Sequence, residues 1–254
     1  MDSLPEVLRN QVRQRPEAIA LVDGSRRLTY AQLYALVIGT AQCLRSCGLL
    51  PGERVATVLQ NSVESVALIY ATWLAGGTIV PLNPQARGHE VCSLAQHSGA
   101  RLLVMDPAFR DINAAMSALH DSDIEVLSAQ ELCRASTTPL TESCTNDPAT
   151  LAMLLYTSGT TGHPKAVMLS HGNISTNTAA IISYLELTSH DSVLSVLPFN
   201  YSYGSSVLHT HLASGGTIVL ERNLVFPHAI VETMVRENVT GFSGVPSTFA
   251  LLLS

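Results

Sequence analysis

The chain has little charge and few aromatic rings. Only 13% of its 254 residues are Asp, Glu, Lys or Arg, 5% are Phe, Trp or Tyr, and there is a single tryptophan. It has no cluster of Lys and Arg, and a net charge of -6 argues against nucleic acid as the main partner. No apolar run approaches the roughly 18 residues that span a bilayer. The opening residues, MDSLPEVLRNQ, are charged and amphipathic, unlike the apolar core of a secretory signal. A cytoplasmic chain without a membrane span is expected. The five cysteines (Cys43, Cys47, Cys92, Cys133, Cys144) lack metal-ligand spacing. Cys43 and Cys47 lie four apart on one helical face with no histidine near them, and read as core thiols. His209 and His211 flank one residue in an apolar pattern; with no third ligand beside them they read as core or interface histidines, and no protein metal site is expected.

Apolar side chains are plentiful. They make up 46% of the residues, with a mean hydropathy of +0.25, which suits strands buried on both faces, as in parallel sheets. The length allows one large domain or two lobes.

The most informative stretch is Tyr156 to Val167, YTSGTTGHPKAV. It is too polar and too poor in side-chain mass to pack as core. It can instead gather backbone N–H groups, the hydroxyls of Thr157, Ser158, Thr160 and Thr161, and the Lys165 ammonium around one anion, with Gly159 and Gly162 letting the backbone approach. Leu151 to Leu155 before it reads as a buried strand. A Walker A loop would place the lysine directly after the second glycine and open a helix at once. Here His163 and Pro164 intervene, and Ala166-Val167-Met168-Leu169 reads as a strand, so the loop is not of that kind.

At these residues the chain resembles the adenylate-forming acyl- and aryl-acid ligases, which include acyl-CoA synthetases, luciferases and peptide-synthetase adenylation domains. Their phosphate loop has the pattern [YF]-T-S-G-[ST]-T-G-x-P-K-G, followed by [TS]-H-x-N. This chain has YTSGTTGHPKA, with Ala166 in place of the last glycine, and then Ser170-His171-Gly172-Asn173. Leu28-Thr29-Tyr30 with Leu33, Gly48 through Val55, Asn61-Ser62, Gly76 through Pro84 and Gly244-Val245-Pro246-Ser247 continue the resemblance in order, over essentially the whole chain.

The pattern of elements is α/β. Leu4, Val7, Leu8 and Val12 recur at helical spacing after Ser3. Ala18–Val22 and Arg27–Thr29 flank the turn signal Asp23-Gly24. Thr29 and Gln32 form a capping box for a long helix that Gly48 stops. Strands are predicted over Leu102–Met105 and Ile124–Leu127, with a helix over Pro107–Leu119 between them, and Ser136–Asp147 reads as a loop. An internal echo is visible. Arg54–Asn61 (strand), Val63–Leu74 (helix) and GGTIV from Gly76 are matched by Ser192–Asn200, Tyr203–Leu212 and GGTIV from Gly215. Two βαβ units give that spacing. Two similar lobes of largely parallel sheet covered by helices are expected. The resemblance places one lobe at about 52–187, including the phosphate loop 156–167, and the other at 1–51 plus 191–254.

The run from Pro246 to Ser254 reads as an apolar helix that breaks off without a cap. Relative to the family, the later segment that closes the substrate pocket, the ribose-binding aspartate, the hinge and the C-terminal lysine are absent. The resemblance therefore implies a partial N-terminal domain, inactive alone, with no catalytic residue assigned. It implies ATP with Mg2+ and a small carboxylic acid as substrates. Coenzyme A or a carrier-protein thiol would be the acceptor, and an acyl carrier protein a candidate partner. Tyr201, in Pro198-Phe199-Asn200-Tyr201-Ser202-Tyr203-Gly204, occupies the place of a family histidine that borders the acid and nucleotide sites. No acidic residue lies between Asp191 and Glu221, which disfavours an α-amino acid as substrate. An aminoacyl or aryl adenylation domain of a peptide-synthetase pathway and a non-catalytic nucleotide- or acyl-binding remnant are the alternatives. His171, opening the helix after the loop, reads as structural.

Overall fold

Helix α1 (Leu4–Gln14) carries Pro5 in its first turn, where a missing N–H costs nothing. Strands β1 (Ile19–Asp23) and β2 (Arg26–Thr29) pair antiparallel around Gly24, whose φ of 60° a residue without Cβ adopts at no steric cost. Helix α2 (Tyr30–Ser46) opens on the expected capping box. The Thr29 hydroxyl accepts from the Gln32 N–H at 3.2 Å, and Gln32 Oε1 accepts from the Thr29 N–H at 2.9 Å. A parallel unit follows: β3 (Arg54–Val58), α3 (Val63–Leu74) and β4 (Thr78–Leu82), with Arg54 level with Thr78. Next come α4 (Gly88–His97), β5 (Ala100–Met105), α5 (Ile112–Ala118), β6 (Glu125–Ser128) and the single-turn α6 (Ala129–Leu132). Strands β7 (Leu151–Thr157) and β8 (Lys165–Ser170) form an antiparallel ribbon that leads into α7 (His171–Leu185). The echo is β9 (Ser192–Ser195), α8 (Ser202–Ser214) and β10 (Thr217–Leu220), again parallel. The last elements are α9 (Pro227–Arg236), β11 (Gly241–Ser243) and α10 (Pro246–Leu252). This computed structural model describes residues 3–120, 122–134, 147–157, 164–222 and 227–253. Cys144 and most of the Ser136–Asp147 segment lie outside the described residues.

The strands form a six-stranded sheet, ordered β6-β5-β3-β4-β7-β8, and a five-stranded sheet, ordered β11-β9-β10-β1-β2. Every neighbouring pair is parallel except β7–β8 and β1–β2. Both faces of each sheet are covered, which explains the surplus of apolar residues. Helices α1, α2, α3 and α8 fill the layer between the sheets, where Leu8, Leu33, Leu68 and Leu208 meet Ile79 of one sheet and Ile218 of the other. Helices α4 and α5 cover the outer face of the larger sheet through Val91, Ala95 and Ala115. Helix α9 covers the outer face of the smaller sheet through Ile230. The result is the layered α/β architecture that the pattern of elements predicts.

Three predicted elements are shorter than expected. The helix over Pro107–Leu119 starts only at Ile112, because Asp106 makes a turn first: its Oδ1 accepts from the Ala108 N–H at 2.8 Å and its carbonyl from the Phe109 N–H at 2.9 Å. The strands predicted to reach Asn61 and Asn200 end at Val58 and Ser195, level with the last residues of their neighbours, Leu82 and Leu220. Past those points no ladder continues, and the freed residues turn across the carboxyl ends of the sheets.

Candidate functional site

The β7–β8 ribbon presents its tip at the carboxyl end of β7. Thr157 and Lys165 are directly opposed in the register, as are Leu155 and Val167. Opposed residues share a face, so Thr157 and Lys165 continue the face on which Met153, Leu155 and Leu169 pack into the inter-sheet layer. Tyr156, on the other face, is tied back to α4. Its hydroxyl lies 2.7 Å from His97 Nδ1 and 3.2 Å from the Leu94 carbonyl, to which it donates. The base of the ribbon is closed by Ser170 and Asn173, which form a capping box for α7, Ser170 Oγ accepting from the Asn173 N–H at 3.1 Å. The sequence-predicted residues Ser158, Gly159, Thr160, Thr161 and Gly162 lie outside the described residues.

Beside the ribbon tip is an open cleft of about 870 Å³. One wall is Leu82 at the end of β4 and Asn83 after it, with His89, Glu90, Ser93 and Leu94 of α4. The floor is Leu155, Tyr156, Thr157, Val167 and Leu169. The remaining wall is Asn200 and Tyr201, ahead of α8, and Ser202, its first residue. Thr157 and Tyr201, 44 positions apart in the chain, thus border one cavity. Lys165 is exposed on the same ribbon but is not part of the cleft lining. The α4 residues were missed in the sequence because no motif marks them. Their signal is the amphipathic spacing of Val91, Cys92 and Ala95 against the sheet, which leaves His89, Glu90 and Ser93 outward.

His171, His209 and His211 sort as structural groups. His209 is buried between the sheets, with Nδ1 3.1 Å from the Tyr70 hydroxyl and Nε2 3.0 Å from Ser205 Oγ. Burial pushes its pKa down to about 3. His171 packs edge-on to Trp73 and is held down to about 4 by the same cause. His211 is buried too; burial lowers its pKa, opposed by its bond to the Val207 carbonyl and by Asp191. Among the described residues no cluster of three His, Cys, Asp or Glu side chains could hold a metal, and no helix is long and apolar enough to cross a membrane. Cys43, Cys47, Cys92 and Cys133 are free thiols, buried or partly so.

Two covered, largely parallel sheets, with the β7–β8 ribbon bordering a cleft at their carboxyl ends, define a layered α/β protein whose crevice lies where such sheets take ligands. Residues 8–254 match the AMP-binding enzyme family, and the chain belongs to it. It is 32% identical to a feruloyl-CoA synthase from Amycolatopsis sp over 240 residues, covering 94% of this chain and 48% of the relative. It is 30% identical to gramicidin S synthase 2 of Brevibacillus brevis over 253 residues, covering 99% of this chain and 6% of that protein. The O-succinylbenzoate coenzyme A synthetase of Bacillus subtilis, solved in complex with AMP, superposes with a TM-score of 0.87 at 29% identity, over 97% of this chain and 63% of that one. The chain spans about half the length of the coenzyme A synthases it matches.

Proposed function

We propose that the full-length protein activates a small carboxylic acid with ATP and passes the acyl group to a thiol, in the manner of an AMP-forming acyl- or aryl-CoA ligase. The observation that carries this reading is the pairing of Thr157 with Lys165 at the ribbon tip, beside a cleft that Tyr201 also borders. In this reading a carboxylate oxygen attacks the α-phosphorus of ATP, pyrophosphate leaves, and the acyl-adenylate's carbonyl is then attacked by the thiol with loss of AMP. Thr157, Ser158, Thr160 and Thr161 would offer hydroxyl donors to the departing pyrophosphate. Gly159 and Gly162 would let the backbone approach it, and Lys165 would place a point charge against it. Magnesium, held on the nucleotide's own phosphate oxygens, would neutralise part of the same charge. No tuned base is needed, since a carboxylate is already a nucleophile at neutral pH. His171 and His209 are buried and take no part.

The cleft lining supports a neutral acid tail. Leu82, Leu94, Leu155, Val167 and Leu169 supply apolar surface, and among the described residues Glu90 is the only Asp, Glu, Lys or Arg in the lining. Coenzyme A is the acceptor in the names of the synthases that match over most of this chain. The likeness to peptide synthetases favours a carrier-protein thiol as the second reading. The lack of acidic residues between Asp191 and Glu221 weighs against an α-amino acid substrate in either case. ATP–pyrophosphate exchange across a panel of acyl, aryl and amino acids tests this. Exchange with an acyl or aryl acid, lost in Lys165→Ala, is expected; exchange with none of them refutes the reading, and exchange with amino acids alone selects the other substrate class.

A further inference from the structure

Asn61 belongs to the Asn61-Ser62 pair that the sequence singles out, and nothing in the chemistry above uses it. It follows β3 and is buried, at 7% exposure. Its Nδ2 donates to the Leu197 carbonyl at 2.8 Å, and its Oδ1 accepts from the Phe199 N–H at 3.0 Å. A backbone carbonyl only accepts and a backbone N–H only donates, so the carboxamide has one possible orientation. It takes the place of a neighbouring strand for a loop that has left the ladder at Ser195. We propose that Asn61 is a positioning residue: its carboxamide clips the Leu197–Phe199 backbone and so sets where Tyr201 stands in the cleft. The proposal rests on the ligase reading given above.

The loop beyond the clip has few other choices. The Phe199 ring is buried in the inter-sheet core, and the Tyr201 N–H donates to the Pro198 carbonyl at 3.2 Å. At Gly204 a Cβ would collide with the Pro198 and Leu197 carbonyl oxygens, so the first turn of α8 presses on the start of the same loop. The residues beside Asn61 also reach towards the β1–β2 hairpin of the smaller sheet. The Val63 N–H donates to Asp23 Oδ2 at 3.3 Å, and Glu64 pairs with Arg26 at 2.7 Å. Segment 61–64 therefore grips elements of the smaller sheet at successive points, and among the described residues only the Asn61 grip falls on the loop that carries Asn200 and Tyr201 to the cleft. The opposite wall, Leu82 and Asn83, lies at the end of β4, whose neighbour is the strand that Asn61 follows. Wall-to-wall spacing is thus set across one side-chain amide.

The test uses the full-length protein, ATP–pyrophosphate exchange with its best acid, and hydrogen exchange of the Phe199 amide. Asn61→Asp keeps the acceptor for the Phe199 N–H but turns an oxygen towards the Leu197 carbonyl. At pH 8 the KM for the acid should rise about tenfold or more, with the KM for ATP within about twofold, the scale expected of a displaced wall. On lowering the pH the introduced carboxyl becomes protonated and again donates to Leu197, so Asn61→Asp should recover relative to wild type while Asn61→Ser does not. Tyr201→Ala, at an exposed side chain, should raise the same KM, and its effect should not add to that of Asn61→Asp. The proposal is overturned by an acid KM unchanged in Asn61→Asp at pH 8, by a Phe199 amide that stays protected in Asn61→Ser, whose side chain is too short to span both backbone groups, or by full additivity with Tyr201→Ala. Wild type without exchange for any acid instead overturns the ligase reading, and the positioning role falls with it.

Discussion

The hydroxyl of Tyr70 stands 3.1 Å from Nδ1 of His209, joining α3 to α8 in the layer between the two sheets. On the other ring nitrogen His209 meets Ser205 at 3.0 Å. Written out as Ser–His–Tyr, the chain of contacts has the form of a nucleophile and its base. Ser205, His209 and Tyr70 are all buried, so no substrate reaches them. A neutral imidazole serves both neighbours with one proton, whereas an imidazolium there would be desolvated without a carboxylate to face it.

That neutrality gives stability a pH dependence. His209 and His171 have native pKa values of about 3 and about 4, below the 6.5 of a free side chain. Between those limits the unfolded chain binds more protons than the native one. Stability is therefore full above pH 6.5 and falls as the pH drops towards 4, by at most about 1.4 kcal/mol per pH unit for each histidine. Urea unfolding at pH 7, 6 and 5 should show this slope, and His209→Gln should flatten it. A slope unchanged by His209→Gln would mean that the imidazole already titrates normally.

Tyr156→Phe removes the hydroxyl that holds the ribbon to Leu94 and His97. A loss of about 0.5–1.5 kcal/mol in unfolding free energy is expected for hydrogen bonds at this half-buried place. An unmoved urea midpoint would show that water replaces both contacts at no cost.

Lys165→Ala should leave thermal unfolding where it is, because the side chain is exposed. Titration with Mg-ATP should show about a tenfold or greater loss of affinity, the scale of one charge-assisted contact to phosphate. Equal affinities in the two proteins would remove Lys165 from the nucleotide site.

Gly204→Ala pushes a methyl group against the Pro198 carbonyl, 2.3 Å from the ideal Cβ position. Because the carbonyl belongs to a clipped loop, relief requires backbone movement, and about 1–3 kcal/mol of destabilisation is expected. Chemical denaturation reads the loss directly. Wild-type stability would show that the loop moves aside freely.

Much of the architecture was legible because its signals are local. The Thr29–Gln32 box and Gly48 bracket α2 within a few residues. The repeated GGTIV marks the strands β4 and β10, which pair in the same way with β3 and β9. Ends of elements were less legible. Val58 and Ser195 stop where partner strands stop, and no sequence window contains both partners. The cleft was legible only in part: Thr157 and Tyr201 lie in motifs, whereas His89 and Glu90 sit on an ordinary amphipathic helix. The contacts of Asn61 with Leu197 and Phe199 span 136 and 138 positions. Its chemistry there depends on backbone groups that have no residue type to betray them.

Trp73 is the single indole in the chain. It is fully buried, with its N–H on the Ala152 carbonyl at 2.8 Å and its ring against Tyr70, His171 and His209. The protein therefore carries its own optical gauge at the seam between its sheets. Neutral imidazoles leave indole emission largely intact, whereas protonated ones quench it. One emission spectrum, with no label attached, thus reports the charge of both buried histidines together with the closure of the two sheets around them.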